Sequence, residues 1–381
     1  MAVADVVADE RDCKNCTVAC REGGTLTSTD YDTIVVGAGP AGIMAARAAA
    51  ARGSVLILDT ASLPREKSCG GMLNEYAQDF LSDEGMPREL VLDPEYVHFR
   101  YWDWDRDIRK PTELRFHNVD RRGFDEWLTH LLPSNVEIEQ RTSLVGLSHQ
   151  DGTVAATLKN GGDPFELTCN NLVGADGARS AVRRTLGIGS VATYVTVQDF
   201  VQLEERLDPF FDCIYMRGIG DSYAYSYVVP KGEQAIVGSV FYPHTRKPHE
   251  RHEQAVAAIA RRLPIGGRAK REAGVALHVR SAQDVVAGHG NVVLAGEAGG
   301  FMSPTSGEGI SYAMNSGHLA GASVAGNAPG DVLASYRQAT EDIAGNIRRK
   351  LRWLPFMESR LGKYLSGFVP TPVVSRVTKG L

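Results

Sequence analysis

The stretch from Tyr31 to Asp59 constrains this chain more than any other. It opens on an apolar run, Thr33-Ile34-Val35-Val36, that reads as a buried strand. It then passes through Gly37-Ala38-Gly39-Pro40-Ala41-Gly42 into an alanine-rich helix. A second short strand, Ser54 to Leu58, ends on Asp59. Gly37 allows the tight turn out of the strand, Gly39 lets backbone approach a pyrophosphate, and Gly42 lets helix and strand pack closely. The helix start offers unpaired N–H groups and a partial positive charge to phosphate. Asp59, about twenty residues on, is placed to accept hydrogen bonds from a ribose hydroxyl. A glycine-rich turn alone also has structural uses, but strand, turn, helix, second strand and acid in this order point to a bound dinucleotide.

At 381 residues the chain can bury a large core, and two intimately joined domains are expected. A net charge of −5 gives no bulk attraction to nucleic acid. No run approaches the roughly 18–20 apolar residues of a membrane span, and the N-terminus lacks the basic-then-apolar layout of a secretion signal. The six cysteines are unevenly spread, which fits a reducing compartment, so a cytoplasmic location is expected. Three of them, Cys13, Cys16 and Cys20, lie in a polar leader over residues 1–29 that reads as flexible. Thiolates at that spacing can converge on a metal or an iron–sulfur cluster. A fourth local ligand is missing, and no metal site is assigned.

Further along, Pro64 to Gly71 forms a basic, turn-prone segment whose Cys69-Gly70-Gly71 can bring backbone close to a flat ligand, and a helix follows from about Asn74 to Leu81. Tyr96 to Asp105 alternates as a strand with His98, Arg100, Trp102 and Trp104 on one face, a face that reads first as packing. Asp120 is placed to cap a helix that contains Arg122. Strands near 136–138, 144–148, 154–158 and 165–169 read as a hairpin-rich patch. It leads to a second apolar strand ending in Gly174-Ala175-Asp176-Gly177. From about Tyr194 to His278 the pattern becomes antiparallel strands separated by glycine turns. The chain then returns to the first domain at Val292-Val293-Leu294-Ala295-Gly296-Glu297. An amphipathic helix beyond Asp331 carries Tyr336, Ile343, Ile347, Leu351 and Leu354 on one side, and Pro355 ends or kinks it.

Three separated segments, GAGPAG, VGADGARSAVRR and VVLAGEAGGFMSPTSGEGISYAMNSG, together resemble the FAD-dependent oxidoreductases of the para-hydroxybenzoate hydroxylase fold. Within that group the chain looks like the geranylgeranyl reductase family. The residues that carry this are Pro64 to Gly71, Ser303 to Gly317 with its Gly307-Glu308-Gly309 loop, and Tyr225-Ser226-Tyr227-Val228-Val229-Pro230-Lys231-Gly232, where the family has Tyr-x-Trp-x-Phe-Pro. The chain resembles the bacterial CbrA-type subgroup, and the likeness covers about residues 30–380. It implies an α/β fold of the glutathione reductase type. A Rossmann-like FAD-binding domain (30–95, 118–190 and 285–330) would be interleaved with an antiparallel-sheet substrate domain (96–117 and 191–284), with C-terminal helices over 331–381.

The resemblance also implies residue roles. Gly39, Ala41 and Gly42, with Gly37 and Pro40 in the same turn, would hold the pyrophosphate, and Asp59 with Thr60 the adenosine ribose. Arg65, Cys69, Gly70 and Gly71 would lie along the flavin, Arg122 would pair with phosphate, and Leu144 would lie near the adenine. Asp176 would brace the pyrophosphate region. Glu297, where the family has Asp, would meet the ribityl chain, and Gly307, Gly309 and Ile310 the isoalloxazine edge. Cys69, Tyr225 and Tyr227 are the catalytic or pocket candidates; an inert cysteine and packing tyrosines are the plain alternatives. The implied reaction is reduction of a carbon–carbon double bond in a hydrophobic, isoprenoid-like substrate, with NAD(P)H or an electron-carrier protein as reductant. A flavin-dependent monooxygenase is the nearest rival, and a non-catalytic lipid-binding escort a more distant one. Finally, the basic run Arg348, Arg349, Lys350, Arg352, Arg360 and Lys363, interleaved with Trp353 and Phe356, reads either as a solvated helix face or as a contact for an anionic membrane.

Overall fold

The computed structural model describes residues 29–379, apart from 151, 220–222 and 366–367. The leader cysteines therefore lie outside the described residues. Sixteen strands run in chain order: β1 (Tyr31–Val36), β2 (Val55–Leu58), β3 (Met72–Leu73), β4 (Val91–Asp103), β5 (Ile108–Val119), β6 (Val136–Glu139), β7 (Ser143–Gln150) and β8 (Thr153–Lys159), followed by β9 (Phe165–Gly174), β10 (Thr193–Leu203), β11 (Phe210–Tyr215), β12 (Tyr223–Lys231), β13 (Gln234–Phe241), β14 (Ile265–Leu277), β15 (Gly288–His289) and β16 (Val292–Leu294). They form two eight-stranded sheets.

The first sheet runs β15-β16-β9-β1-β2-β6, with β7 and β8 attached through β9. In its parallel centre Val36 pairs with Leu58 on one side and with Gly174 on the other, and Gly174 also pairs with Leu294. Four strands thus end in register. Gly37, Asp59, Ala175-Asp176 and Ala295-Gly296-Glu297 emerge along one rim, at the point where the chain switches sides of β1, which is where open α/β sheets bind ligands. The apolar runs behind this are strands buried on both faces. One face is covered by helix Pro40–Ala49, and helix Ile310–Gly326 lies on that helix. A Cβ on Gly317 or Gly321 would come within 2.1 Å of the Ala41 or Ala45 carbonyl oxygen, so only glycine allows the approach. The other face is filled by β7, β8 and β9 around Leu144, Val154, Leu158 and Leu172.

Two strands behave differently from the hairpin-rich reading. β6 pairs parallel with β2 at the sheet edge. β9 is one continuous strand that starts antiparallel to β8 and finishes parallel between β1 and β16. Local alternation does not carry that information, because partner choice is a long-range property.

The second sheet runs β14-β10-β13-β12-β11-β4-β5-β3. It is antiparallel except where β11 lies parallel to β4. Arg100 on β4 is buried in a two-pronged pair with Asp212 (2.6 and 2.9 Å), and its guanidinium lies 3.9 Å over Phe210. The alternating polar–aromatic face of β4 is packing. The tail contains two helices, Val332–Ala339 and Glu341–Leu351, in place of a single one, and Tyr336, Ile343, Ile347 and Leu354 are buried.

Candidate active site

Between the rim of the first sheet and one face of the second lies a cavity of about 520 Å³. At its nucleotide end sits the start of helix Pro40–Ala49. The N-cap Gly39 supplies no side-chain hydrogen bond and the first turn holds no acid, so the first amides are left to a ligand. Gly37, with φ +107°, turns the chain here, and a Cβ on it would strike the Ala175 carbonyl oxygen at 2.4 Å. Asp59 accepts from the Ala38 and Ala61 amides (2.9 and 2.8 Å), one on each oxygen, and each oxygen keeps a further lone pair. Its neighbour Arg65 approaches to 3.7 Å and lies beside Gly39. Asp176 places Oδ2 on the Ala181 and Val182 amides (2.6 and 3.1 Å) and leaves Oδ1 buried without a partner; burial raises its pKa. Glu297 reaches the Leu277 amide (3.0 Å) and Lys67 (3.3 Å).

A glycine cradle, free helix amides and an acid with spare lone pairs fit a dinucleotide diphosphate and its ribose, so the residues present suit FAD. Gly37, Gly39, Pro40, Ala41, Asp59, Thr60, Arg65, Cys69, Gly70, Gly71, Asp176, Glu297, Gly307, Gly309 and Ile310 all line the cavity. Gly42 lies just beneath, where a Cβ would come to 1.8 Å from the Gly37 carbonyl oxygen. Two expected residues sit elsewhere. Leu144 is buried in the core of the opposite sheet face, and Thr142 stands at the cavity edge. Arg122 is exposed, with Nε 3.4 Å from the Pro64 carbonyl oxygen; its neighbour Arg121 lines the cavity. Arg121 is held by Asp125 through two bonds (2.8 and 3.1 Å) and also meets the Cys69 sulfur. Burial opposes its charge, but Asp125 and Cys69 outweigh that and keep the guanidinium protonated. The sequence alone does not separate the two, because each has an acid four residues on, Asp125 for Arg121 and Glu126 for Arg122.

At the far end Tyr225 and Tyr227 both line the cavity. Tyr227 donates to Gln198 (2.8 Å), which in turn donates to Glu272 (2.7 Å). Its ring lies over Gly238, where a Cβ would be 2.0 Å from the ring. Tyr194 also lines the cavity, stacked 4.1 Å from His278, and both reach Glu358 (3.2 and 2.8 Å). Burial opposes ionisation of Glu358, but His278 and Tyr194 outweigh it and lower its pKa. Under the Gly307-Glu308-Gly309 loop, Glu308 accepts from the Ser311 amide and hydroxyl (2.8 and 2.7 Å), and burial raises its pKa.

Lys231, assigned no role of its own from the sequence, donates to the Gly71 and Val119 carbonyl oxygens (3.0 Å each), so it ties β12 to the Cys69-Gly70-Gly71 turn. Burial pushes its pKa down from 10.5 to about 7, and a neutral amine has the two hydrogens these acceptors need. The unfolded chain therefore holds the proton between about pH 7 and 10.5 while the folded protein has released it, and stability from this group rises with pH across that window. The Lys231→Met variant is expected to lack that rise, by at most about 1.4 kcal/mol per pH unit. Urea titrations at several pH values check it, with Lys350, lowered to about 8, contributing equally to both proteins. Parallel stability–pH curves would contradict it.

A family described as FAD binding domain matches residues 30–350. Protein CbrA of Escherichia coli O157:H7 is 30% identical over 324 residues, covering 82% of this chain and 89% of that protein. Protein CbrA of Shigella dysenteriae serotype 1 is 30% identical over 321 residues, covering 81% and 88%. Among solved structures, a geranylgeranyl bacteriochlorophyll reductase-like protein from Thermoplasma acidophilum has a TM-score of 0.76 at 20% identity, covering 92% of each chain. The flavin-dependent brominase Bmp2 has a TM-score of 0.70 at 17% identity, covering 91% of this chain and 93% of that one. These two share the fold.

Proposed function

This chain belongs to the FAD binding domain family, and on that premise we propose that it reduces carbon–carbon double bonds of a hydrophobic, isoprenoid-like substrate. One observation carries the substrate class. The second sheet gives the cavity Phe99, Phe116, Phe211, Tyr225, Tyr227 and Val240, among others, and none of the residues it contributes is charged. The charged lining residues belong to the first sheet's loops, to the segments around Arg65 and Glu308, or to the start of helix Arg121–Thr129. Such a wall suits an apolar chain and offers no cation to seat a carboxylate.

FAD, when bound, supplies hydride transfer to an alkene carbon. The protein supplies the rest. The helix at Pro40 and the Asp59 carboxylate hold the nucleotide, and the aromatic wall excludes water and aligns the chain. Cys69 gives the proton for the second carbon, because the thiolate it leaves behind faces the Arg121 guanidinium and the Gly71 amide. Tyr194 is less suited, since its hydroxyl is already engaged with Glu358. Electrons come from NAD(P)H or from an electron-carrier protein; anaerobic titration with NADH and NADPH separates the two.

Lipid extracted from the purified protein and identified by mass spectrometry names the substrate. Mixing it without oxygen with the photoreduced protein should reoxidise the FAD and add two hydrogens to the lipid. In Cys69→Ala this step is expected to slow by about a hundredfold or more while FAD stays bound. Reoxidation only with oxygen, with a product heavier by one oxygen atom, would establish the monooxygenase instead.

A further inference from the structure

We propose that the C-terminal segment from Arg348 onward is a docking surface for an anionic lipid bilayer. Of the large apolar residues exposed among the described residues, all but Val145 fall in this segment: Trp353, Phe356, Leu361, Tyr364, Phe368 and Val373, each at least 42% exposed. Scattered exposed apolar residues are ordinary, but a concentration in one segment marks an interaction site. The segment folds as three short helices, Leu354–Glu358, Arg360–Leu365 and Thr371–Thr378, each too short to bury a face of its own. It is nevertheless anchored to the body. Arg106 donates to the Tyr364 carbonyl oxygen (2.7 Å) and lies over the Tyr364 and Phe368 rings, and Lys110 donates to the Val369 carbonyl oxygen (2.5 Å).

Charge selects the occupant. From Arg348 to the end the chain carries eight Lys and Arg and one acid, on a protein whose net charge is −5. That acid, Glu358, turns inward to His278 and Tyr194, so it does not offset the bases outside. Arg349 and Arg352 are exposed, whereas Arg348 is paired with Glu341 and Lys350 is buried against Ser303 and Tyr312, so these two drop out of the free surface charge. A second copy of the chain across a two-fold axis would set these bases against each other. Leu361 and Val373 have no use against a phosphate backbone. An anionic bilayer accepts both the bases and the apolar side chains. No helix among the described residues is long and apolar enough to cross a membrane, so the contact is peripheral. Through Glu358 the same segment braces Tyr194 in the cavity wall, which joins the docking surface to the cavity.

The test is sedimentation of the full chain with vesicles of phosphatidylcholine alone or mixed with phosphatidylglycerol, beside light scattering of the free protein. Binding to the mixed vesicles, weakened by salt, is expected, with a more than tenfold loss in Trp353→Ser/Leu361→Ser and in Arg349→Glu/Arg352→Glu. An unchanged thermal unfolding midpoint in each variant keeps the readout free of misfolding. Equal sedimentation with and without phosphatidylglycerol, or a dimer that Leu361→Ser dissociates, would overturn the proposal. The result is independent of which substrate the cavity takes.

Discussion

Alanine at position 42 is expected to cost this protein its FAD. The added Cβ would lie 1.8 Å from the Gly37 carbonyl oxygen and 2.9 Å from its carbon, both backbone atoms that no rotamer change can move. Helix Pro40–Ala49 must therefore lift off β1, or the Gly37 turn must deform. Overpacking of this kind costs about 1–3 kcal/mol, which a domain of this size survives. The array of amides at the helix start is less forgiving, because hydrogen bonds to a charged group contribute about 1.5–3 kcal/mol each and weaken steeply when misaligned, so losing two costs roughly a hundredfold or more. We expect Gly42→Ala to fold and to bind FAD at least a hundredfold more weakly, as read by fluorescence titration of the apoprotein. Wild-type affinity would contradict the cradle. Gly39→Ala makes a useful contrast. There the near atom inside the protein is the movable end of Arg65, at 2.8 Å, so any loss of affinity reports on the ligand itself.

The second large effect separates two adjacent arginines. Arg121→Ala removes one half of a buried pair and leaves the Asp125 carboxylate, 5% exposed, without its guanidinium. Breaking such a pair costs about 3–5 kcal/mol. The same change takes away the positive charge beside Cys69, so turnover should fall with stability. Arg122→Ala touches an exposed side chain with one long contact to Pro64 and should stay within about 0.5 kcal/mol of wild type. Urea unfolding of both variants, with FAD content measured alongside, checks this. Equal effects at the two positions would contradict the assignment.

That pair also shows what the sequence can and cannot carry. The run Tyr31 to Asp59 was legible because its parts are local: a strand, a turn that needs glycine, a helix start and an acid. The same holds for Asp176 and Glu297, each just beyond an apolar strand, and the register of four parallel strands gathers them. Arg122 and Leu144 failed for one reason. Which side of a helix or strand meets the cavity depends on what packs behind it, and a shift of one residue is enough to change the face presented. For the two arginines the sequence held no such clue, since each is followed four residues later by an acid, Asp125 or Glu126. Lys231 and Tyr194 offered none, since their partners, Gly71 with Val119 and Glu358, lie more than a hundred residues away in the chain. The parallel pairing of β6 with β2 and of β11 with β4 was hidden in the same way.

FAD is proposed to lie along the rim of the first sheet, with its diphosphate held at the Gly39 turn and its flavin end toward Ile310. A crystal structure of the protein grown with FAD tests this most directly. Density for the whole cofactor along that path is expected, with a ribose hydroxyl on Asp59. Density for FAD elsewhere, or a cavity that takes up none from a saturating solution, would contradict it.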